Sequence, residues 1–321
     1  MVISTGELLV ANKYQNSDLF WALRGGGGGT YGIVTSVTYR TYESLPVAFY
    51  VFQANLTDTT AMKKLIAGML QFQTNLTDDG WGGYAIMNNT SMYFFIIAPN
   101  MSTEAANAST QTWTDYASGL QSQGVTSLAQ IYPVPSWYEW YTTIFSAPGQ
   151  NGGNTMLTSR LLSRDTLANQ YEDVAEILVD CQGSFKCVHP ALAYLPLVLT
   201  ILCSMIAGGK VSKIDSESAG VNPAWRNAVV EAVCGISWDE GASSKEIEEE
   251  ISQLKTWISA LNDVAPNDGA YFNEVGPGTL SRFYICYPCT LLTQGVLVRD
   301  RLANHVFWVS LLSTKTHQGQ I

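Results

Sequence analysis

The spacing of apolar and polar positions separates the chain into helical and extended stretches. Residues 60–73 place Met62, Leu65, Ile66, Met69 and Leu70 three and four apart. That spacing puts side chains on one face of an α-helix. Residues 104–120 and 166–179 also read as helices. Residues 243–261 give the clearest one, with Ser243 and Ser244 ahead of a glutamate-rich first turn that suits the helix dipole. Extended segments are predicted over 47–53, 92–98 and 228–236.

Near the N-terminus, residues 7–11 read as a short strand. Asn16, Ser17 and Asp18 supply N-cap chemistry for a helix over 19–23, which Arg24 and a run of glycines stop. Residues 32–41 are dominated by β-branched side chains and predict a further strand. Two stretches fit no period. Residues 191–207 are largely apolar but broken by Pro196. They sit at the short edge of the ~17–25 residues a membrane span needs, so a buried segment is expected there. Residues 276–321 show no clean periodicity. Strands and helices without strict βαβ alternation predict an α+β layer.

Composition narrows the function classes. The chain has 321 residues, of which 46% are hydrophobic and 14% charged, a globular balance with a sizeable core. Its net charge of −10 and the absence of a basic stripe argue against nucleic acid as a partner. The six cysteines are too sparse for a dense disulfide framework. Cys286 and Cys289 have dithiol spacing but no βαβ context, and Cys187 with His189 lacks a second ligand pair for zinc. No metal is expected. The first residues lack the basic flank and apolar run of a signal peptide. Yet Asn-x-Ser/Thr sequons stand at Asn55, Asn75, Asn88, Asn89, Asn100 and Asn107, which suits a secreted, glycosylated protein.

The run from Gly25 to Gly32 contains a literal G-x-G-x-x-G, which is nearly automatic among so many glycines. A dinucleotide fingerprint needs strand, glycines, helix; here the order is helix, glycines, strand. No Gly-Lys-Ser/Thr follows, which excludes a P-loop. Glycines wedged between an aromatic helix and a β-branched segment let the backbone approach something closely, and their N–H groups can cradle a pyrophosphate.

The block from Asn16 to Arg40, NSDLFWALRGGGGGTYGIVTSVTYR, resembles the berberine-bridge-like, FAD-linked oxidoreductase family. Residues 219–230 with Gly235-Ile-Ser-Trp238, and Gly269-Ala-Tyr-Phe-Asn-Glu274, are similar to the substrate domain of fungal members. The resemblance runs with gaps to about residue 275. It implies that residues 1–45 are the C-terminal part of a PCMH-type FAD-binding domain. Residues 46–275 would then be an α+β substrate domain, an antiparallel sheet covered by helices. It implies FAD as cofactor, with Gly25, Gly26, Gly27, Gly28, Gly29, Gly32, Ile33 and Val34 against it. It also implies hydride transfer from a small organic substrate, in secondary metabolism, by a protein that is secreted when full-length.

The family's first half-domain, which carries the flavin-bonding histidine, has no counterpart here. Residues 186–207 and the tail 276–321 depart from the family pattern, as retained intron or shifted frame would. A non-catalytic remnant without flavin is therefore the alternative reading.

Proton removal needs a base on the substrate-domain sheet. Glu231 is the candidate: on the 228–236 strand it shares a face with Val229 and Val233, and burial would raise its pKa. A solvent-facing glutamate at a strand end is the competing reading. Tyr271 and Asn273 lie in a matched motif and either line the pocket or hold the loop. The aromatic run Trp137 to Tyr141 stacks on a flat ligand or forms core. There is no Gly-x-Ser-x-Gly turn, and Asp78, Asp79 and Glu139 cannot be paired into a glycosidase site from spacing.

Overall fold

A computed structural model describes residues 1–27, 29–88, 90–144, 154–181 and 201–274. Gly28, Asn89, Cys187, His189, the Cys286 and Cys289 pair, residues 191–200 and the tail 276–321 lie outside the described residues. The described chain falls into two compact units. One comprises Met1–Tyr42 and Ile214–Pro223; the other lies within Glu43–Lys213 and residues 224–274.

The larger unit is built on a seven-stranded sheet. Its strands are β1 (Val47–Leu56), β2 (Gly82–Asn88), β3 (Ser91–Pro99), β4 (Val125–Val134), β5 (Thr155–Ser163), β6 (Ile201–Met205) and β7 (Ala228–Ser237). Their order is β4-β1-β3-β2-β6-β7-β5, and every pairing is antiparallel. Side chains alternate across a strand, so each strand serves two faces. Tyr50, Phe52, Phe94, Ile96, Ala85, Cys203, Ala232 and Cys234 point to one face and join the main core. Phe49, Tyr84, Phe95 and Ile86 point to the other.

The long helices cover the first face, while two short ones, α4 (Trp137–Ile144) and α7 (Ala224–Asn227), set Trp140 and Trp225 against the second. The long ones are α2 (Thr59–Asp78), α3 (Thr103–Gly119), α6 (Tyr171–Asp180) and α8 (Ser244–Val264). α2 is N-capped by Asp58 and buries each of the five apolar residues its spacing singled out. α8 begins with a complete Ser243/Glu246 capping box and buries Leu254, Trp257, Ile258 and Leu261. Trp113 of α3 anchors the layer, its ring 4.9 Å from that of Phe52 and 6.1 Å from that of Phe94. Cys181, at the end of α6, is bonded to Cys234 of β7, so a disulfide staples helix layer to sheet.

Three expectations are corrected. Residues 166–179 are not one helix: α5 (Arg164–Asn169) ends at Gln170, where φ is −131°, and α6 restarts at Tyr171. Asp268 pins the first turn of α5 by accepting from Ser163 N and Thr166 Oγ1, which fixes an axis α6 does not share. Residues 32–41 form no strand; Ile33 alone bridges Val2. Val34, Val37 and Tyr39 are exposed. β-branched residues extend into a strand where a neighbour offers ladder partners, and among the described residues none lies beside 34–41. Residues 7–11 are likewise reduced to one bridge, Val2 to Leu8.

The described end of the apolar 191–207 run is β6, a central strand. That matches a buried segment. Among the described residues, no helix is long and apolar enough to cross a membrane.

In the smaller unit, α1 (Ser17–Leu23) is held by a segment remote in sequence. Trp21 Nε1 donates to Glu217 O at 2.6 Å, Arg24 to Ser218 O at 2.6 Å, and Gly220 N to Trp21 O at 3.0 Å.

Candidate active site

One row with three polar members crosses the second face of the sheet. Tyr84 on β2 stands opposite Ser204 on β6, Ser204 opposite Glu231 on β7, and Glu231 opposite Leu161 on β5. Glu231 is 2% exposed, so the reading as a solvent-facing residue at a strand end is excluded. Val233, two residues on, is buried too, whereas Val229, expected on the same face, joins the main core beyond a register shift between β5 and β7.

The chain after α8 brings a second carboxyl to this row. It is fastened along β5 at several points. Arg160 Nε donates to Ala265 O at 3.1 Å, Leu161 N to Gly269 O at 2.8 Å, and Tyr271 N to Ser159 Oγ at 3.0 Å. Asn273 Nδ2 donates to Tyr271 Oη at 2.6 Å, and the Tyr271 ring meets Trp225 edge-on at 5.7 Å. These fastenings set the short 3-10 turn Phe272–Glu274 in place, and the Glu274 side chain hydrogen-bonds Glu231.

Burial is the main force on both carboxyls. It pushes Glu231 up to about 8, helped by the charge of Glu274 and the proton shared with it, and opposed by a hydrogen bond from the Ser159 hydroxyl. Burial also raises Glu274, while the hydrogen bond from Glu231 works in the other direction. Glu231 is thus the donor of the pair and Glu274 the acceptor. Tyr84 is raised by burial first and then by the charges of Glu231 and Glu274. The pair therefore holds one proton near neutral pH. Sequence reasoning put a base on Glu231, and the structure pairs that residue with Glu274. That reasoning quoted Glu274 only as the end of a motif. It missed Ser159 and Tyr84, whose strands carry no sharp periodicity.

Tyr271 precedes the turn that carries Glu274, and Asn273 lies in it with its side chain exposed. The aromatic run divides: Trp140 is buried against Phe49, while Trp137 stacks on Tyr141 at 5.1 Å and both remain exposed. Among the described residues no cluster of His, Cys, Asp and Glu could hold a metal ion.

The glycine turn belongs to the smaller unit. Gly25 and Gly27 have φ of +110° and +102°, with Gly26 between them outside that region, and Gly29 follows at +73°. The Gly26 N–H between them is spent on Ala22 O at 2.9 Å, so it is not free to meet an anion. Part of the glycine requirement is internal. A Cβ on Gly25 would lie 2.6 Å from Val221 Cα, and one on Gly26 or Gly32 would run into Ala22 O or Val2 O. Beyond the turn, Ile33 and Val34 offer exposed apolar side chains, 71% and 47% accessible. What this unit offers a flat-ring cofactor is a turn crowded with glycine beside exposed apolar side chains.

Comparison with known proteins agrees with this construction. No family model matches the chain. It is 32% identical over 289 residues to an uncharacterized FAD-linked oxidoreductase of Arthroderma benhamiae, covering 85% of this chain and 47% of that protein. The chain belongs to the FAD-linked oxidoreductase family. It is also 27% identical to the FAD-linked oxidoreductase patO of Aspergillus clavatus, covering 86% of this chain and 46% of the relative. Its fold is that of the VAO-type flavoprotein MtVAO615 of Myceliophthora thermophila, with TM-score 0.69, 23% identity, and coverage of 86% of this chain and 48% of that one. A glucooligosaccharide oxidase from Acremonium strictum superposes with TM-score 0.64 at 17% identity, covering 86% of this chain and 56% of that one. The chain spans about half the length of the curated family members it matches.

Proposed function

We propose that this chain is part of an FAD-dependent oxidoreductase that oxidises a small organic molecule, with the substrate proton taken by the Glu231–Glu274 pair. The observation that carries this reading is the pair itself: buried Glu231 on the second sheet face, hydrogen-bonded to half-buried Glu274 from the turn beyond α8, in a chain of this family. FAD, when bound, supplies the hydride acceptor.

The remaining chemistry belongs to the protein. Gly25, Gly26, Gly27, Gly28, Gly29, Gly32, Ile33 and Val34 would hold the cofactor through close backbone approach and apolar contact. Glu231 keeps its proton and donates it to Glu274, which holds the acceptor carboxylate in one orientation. A carboxylate beside a buried neighbour has a pKa nearer neutrality and so serves better as a general base. Ser159 and the Tyr271–Asn273 bond fix the pair, and Tyr84 with Trp225 gives the substrate apolar surface. The names of relatives such as patO, and of the bifunctional decalin synthase calF of Penicillium decumbens at 26% identity, support a secondary metabolite as substrate.

The test is the visible absorption spectrum of the purified protein, before and after excess FAD and desalting. It is followed by anaerobic flavin reduction in wild type, E231Q and E274Q. Retained flavin bands and slowed reduction in E274Q support the proposal. A protein left colourless after loading overturns it in favour of a non-catalytic remnant.

A further inference from the structure

Asn-x-Ser/Thr sequons occur at Asn55, Asn75, Asn88, Asn89, Asn100 and Asn107 and nowhere else in the chain. All of them fall in one part of the larger unit, from β1 to α3. A second feature, independent of the sequons, speaks for the same compartment. Cys181 and Cys234 are joined across the core, with Cα atoms 5.8 Å apart, and such bonds form and persist where the surroundings are oxidising. N-linked glycans are added in that compartment.

We propose that Asn55, Asn75, Asn100 and Asn107 carry N-linked glycans. In the modification, Nδ2 of the asparagine attacks the anomeric carbon of an oligosaccharide carried on a polyprenyl pyrophosphate. The new bond is nitrogen to carbon. The bond broken joins that carbon to the pyrophosphate oxygen, and the lipid pyrophosphate and one Nδ2 proton leave. No electrons are exchanged with an oxidant.

The structure sorts the sequons by what the folded chain tolerates. Transfer precedes folding, so the requirement is room for the sugar afterwards. Asn55, Asn75, Asn100 and Asn107 are all exposed. Asn55 lies near the end of β1, paired with Ser91 and Thr126 at the rim of the sheet. Asn75 and Asn107 stand on the solvent side of α2 and α3. Asn107 spends one Nδ2 hydrogen on Thr103 O at 2.9 Å, which leaves the other replaceable. Asn100 occupies the turn between β3 and α3 with φ of 56°.

Asn88 differs. It is half-buried, and its Oδ1 closes the β2–β3 hairpin by accepting from Thr90 N, Ser91 N and Ser91 Oγ, each at 2.9 Å. A sugar on its Nδ2 would crowd that half-buried turn, so chains that carry one fail to fold and the folded protein is unmodified at Asn88. None of the four glycan positions lies in the row Tyr84, Ser204, Glu231, Leu161, so the glycans leave that row alone.

The experiment is site mapping on the full, folded protein produced in a fungal secretory host, taken from medium and cells alike. Enzymatic release of N-glycans in heavy-oxygen water converts each occupied asparagine into a labelled aspartate, read by peptide mass spectrometry. Label at most of positions 55, 75, 100 and 107, and none at 88, is expected. Any other pattern overturns the proposal. An N55Q/N75Q/N100Q/N107Q variant should lose all the label and keep the pH dependence of stability set by Glu231.

Discussion

Glu231 and Glu274 hydrogen-bond each other side chain to side chain, and Glu231 Oε1 and Glu274 Oε2 are both shut away from solvent. Two like charges at that range in a desolvated place cannot both persist, so one proton is retained. The pair is assembled from β7 and from a turn beyond α8 that would wander without its fastenings on β5.

Retention of that proton makes stability depend on pH. Glu231 is raised to about 8 in the folded chain against an unfolded value of about 4.3. Between those values the folded state binds the extra proton, so stability falls as pH rises and levels off above the folded value. The loss between about pH 5 and pH 8 should be on the order of 3 kcal/mol, allowing for the coupling of the pair. Urea midpoints across that range should slope in the wild type and flatten in E231Q. Equal slopes would mean that Glu231 ionises freely.

Removal of the acceptor should cost rate. In flavin-loaded protein, E274Q should slow flavin reduction by roughly 10²–10⁴-fold, the usual range for a positioned base. E231Q should remove the step near pH 8 from the rate profile and leave a base in place. Stopped-flow reduction at several pH values distinguishes the two. A larger rate loss in E231Q than in E274Q would return the base to Glu231.

The disulfide should matter to stability rather than to chemistry. Cys181 and Cys234 close a loop of sequence separation 53, so C181S/C234S should lose roughly 2–4 kcal/mol in denaturant unfolding. Burial pushes the Cys203 thiol up to about 12, and it should escape alkylation in native protein. Mass spectrometry after brief iodoacetamide treatment reads this directly, and rapid labelling of Cys203 would contradict its burial.

Gly32 separates packing from cofactor binding. Its φ is +139°, and an added Cβ would meet Val2 O. Val2 and Ile33 exchange a pair of 2.8 Å hydrogen bonds beside it. G32A should cost more than about 1 kcal/mol locally and hasten amide exchange at Val2 and Ile33, even without FAD. Unchanged exchange in the flavin-free protein would mean that the glycine serves the cofactor alone.

Much of the helix layer was legible from spacing. α2, α3 and α8 appear within a few residues of their predicted limits, because a continuous apolar stripe and a capping residue are local properties. β1, β3 and β7 were legible for a similar reason: each is buried enough to read as an apolar run. β4 and β5 were not, since they are the edges of the sheet. One carries Pro133 in an alternation of exposed positions, and the other mixes Arg160 with small polar residues.

The site was legible only in part. Glu231 stood out as a carboxylate on an apolar strand, which local pattern reveals. Its burial and its partnership with Glu274 depend on strand order and on the fastening of residues 265–273 to β5, and these are contacts between distant parts of the chain. The glycine turn shows the same division. Glycine is written in the sequence because φ is positive there, but the neighbours that crowd Gly25 are set by a segment some two hundred residues on, at Val221. Periodicity, capping and backbone allowance act within a few residues and can be read along the chain. Charge state, burial and strand formation at 32–41 depend on what lies alongside, which folding alone supplies.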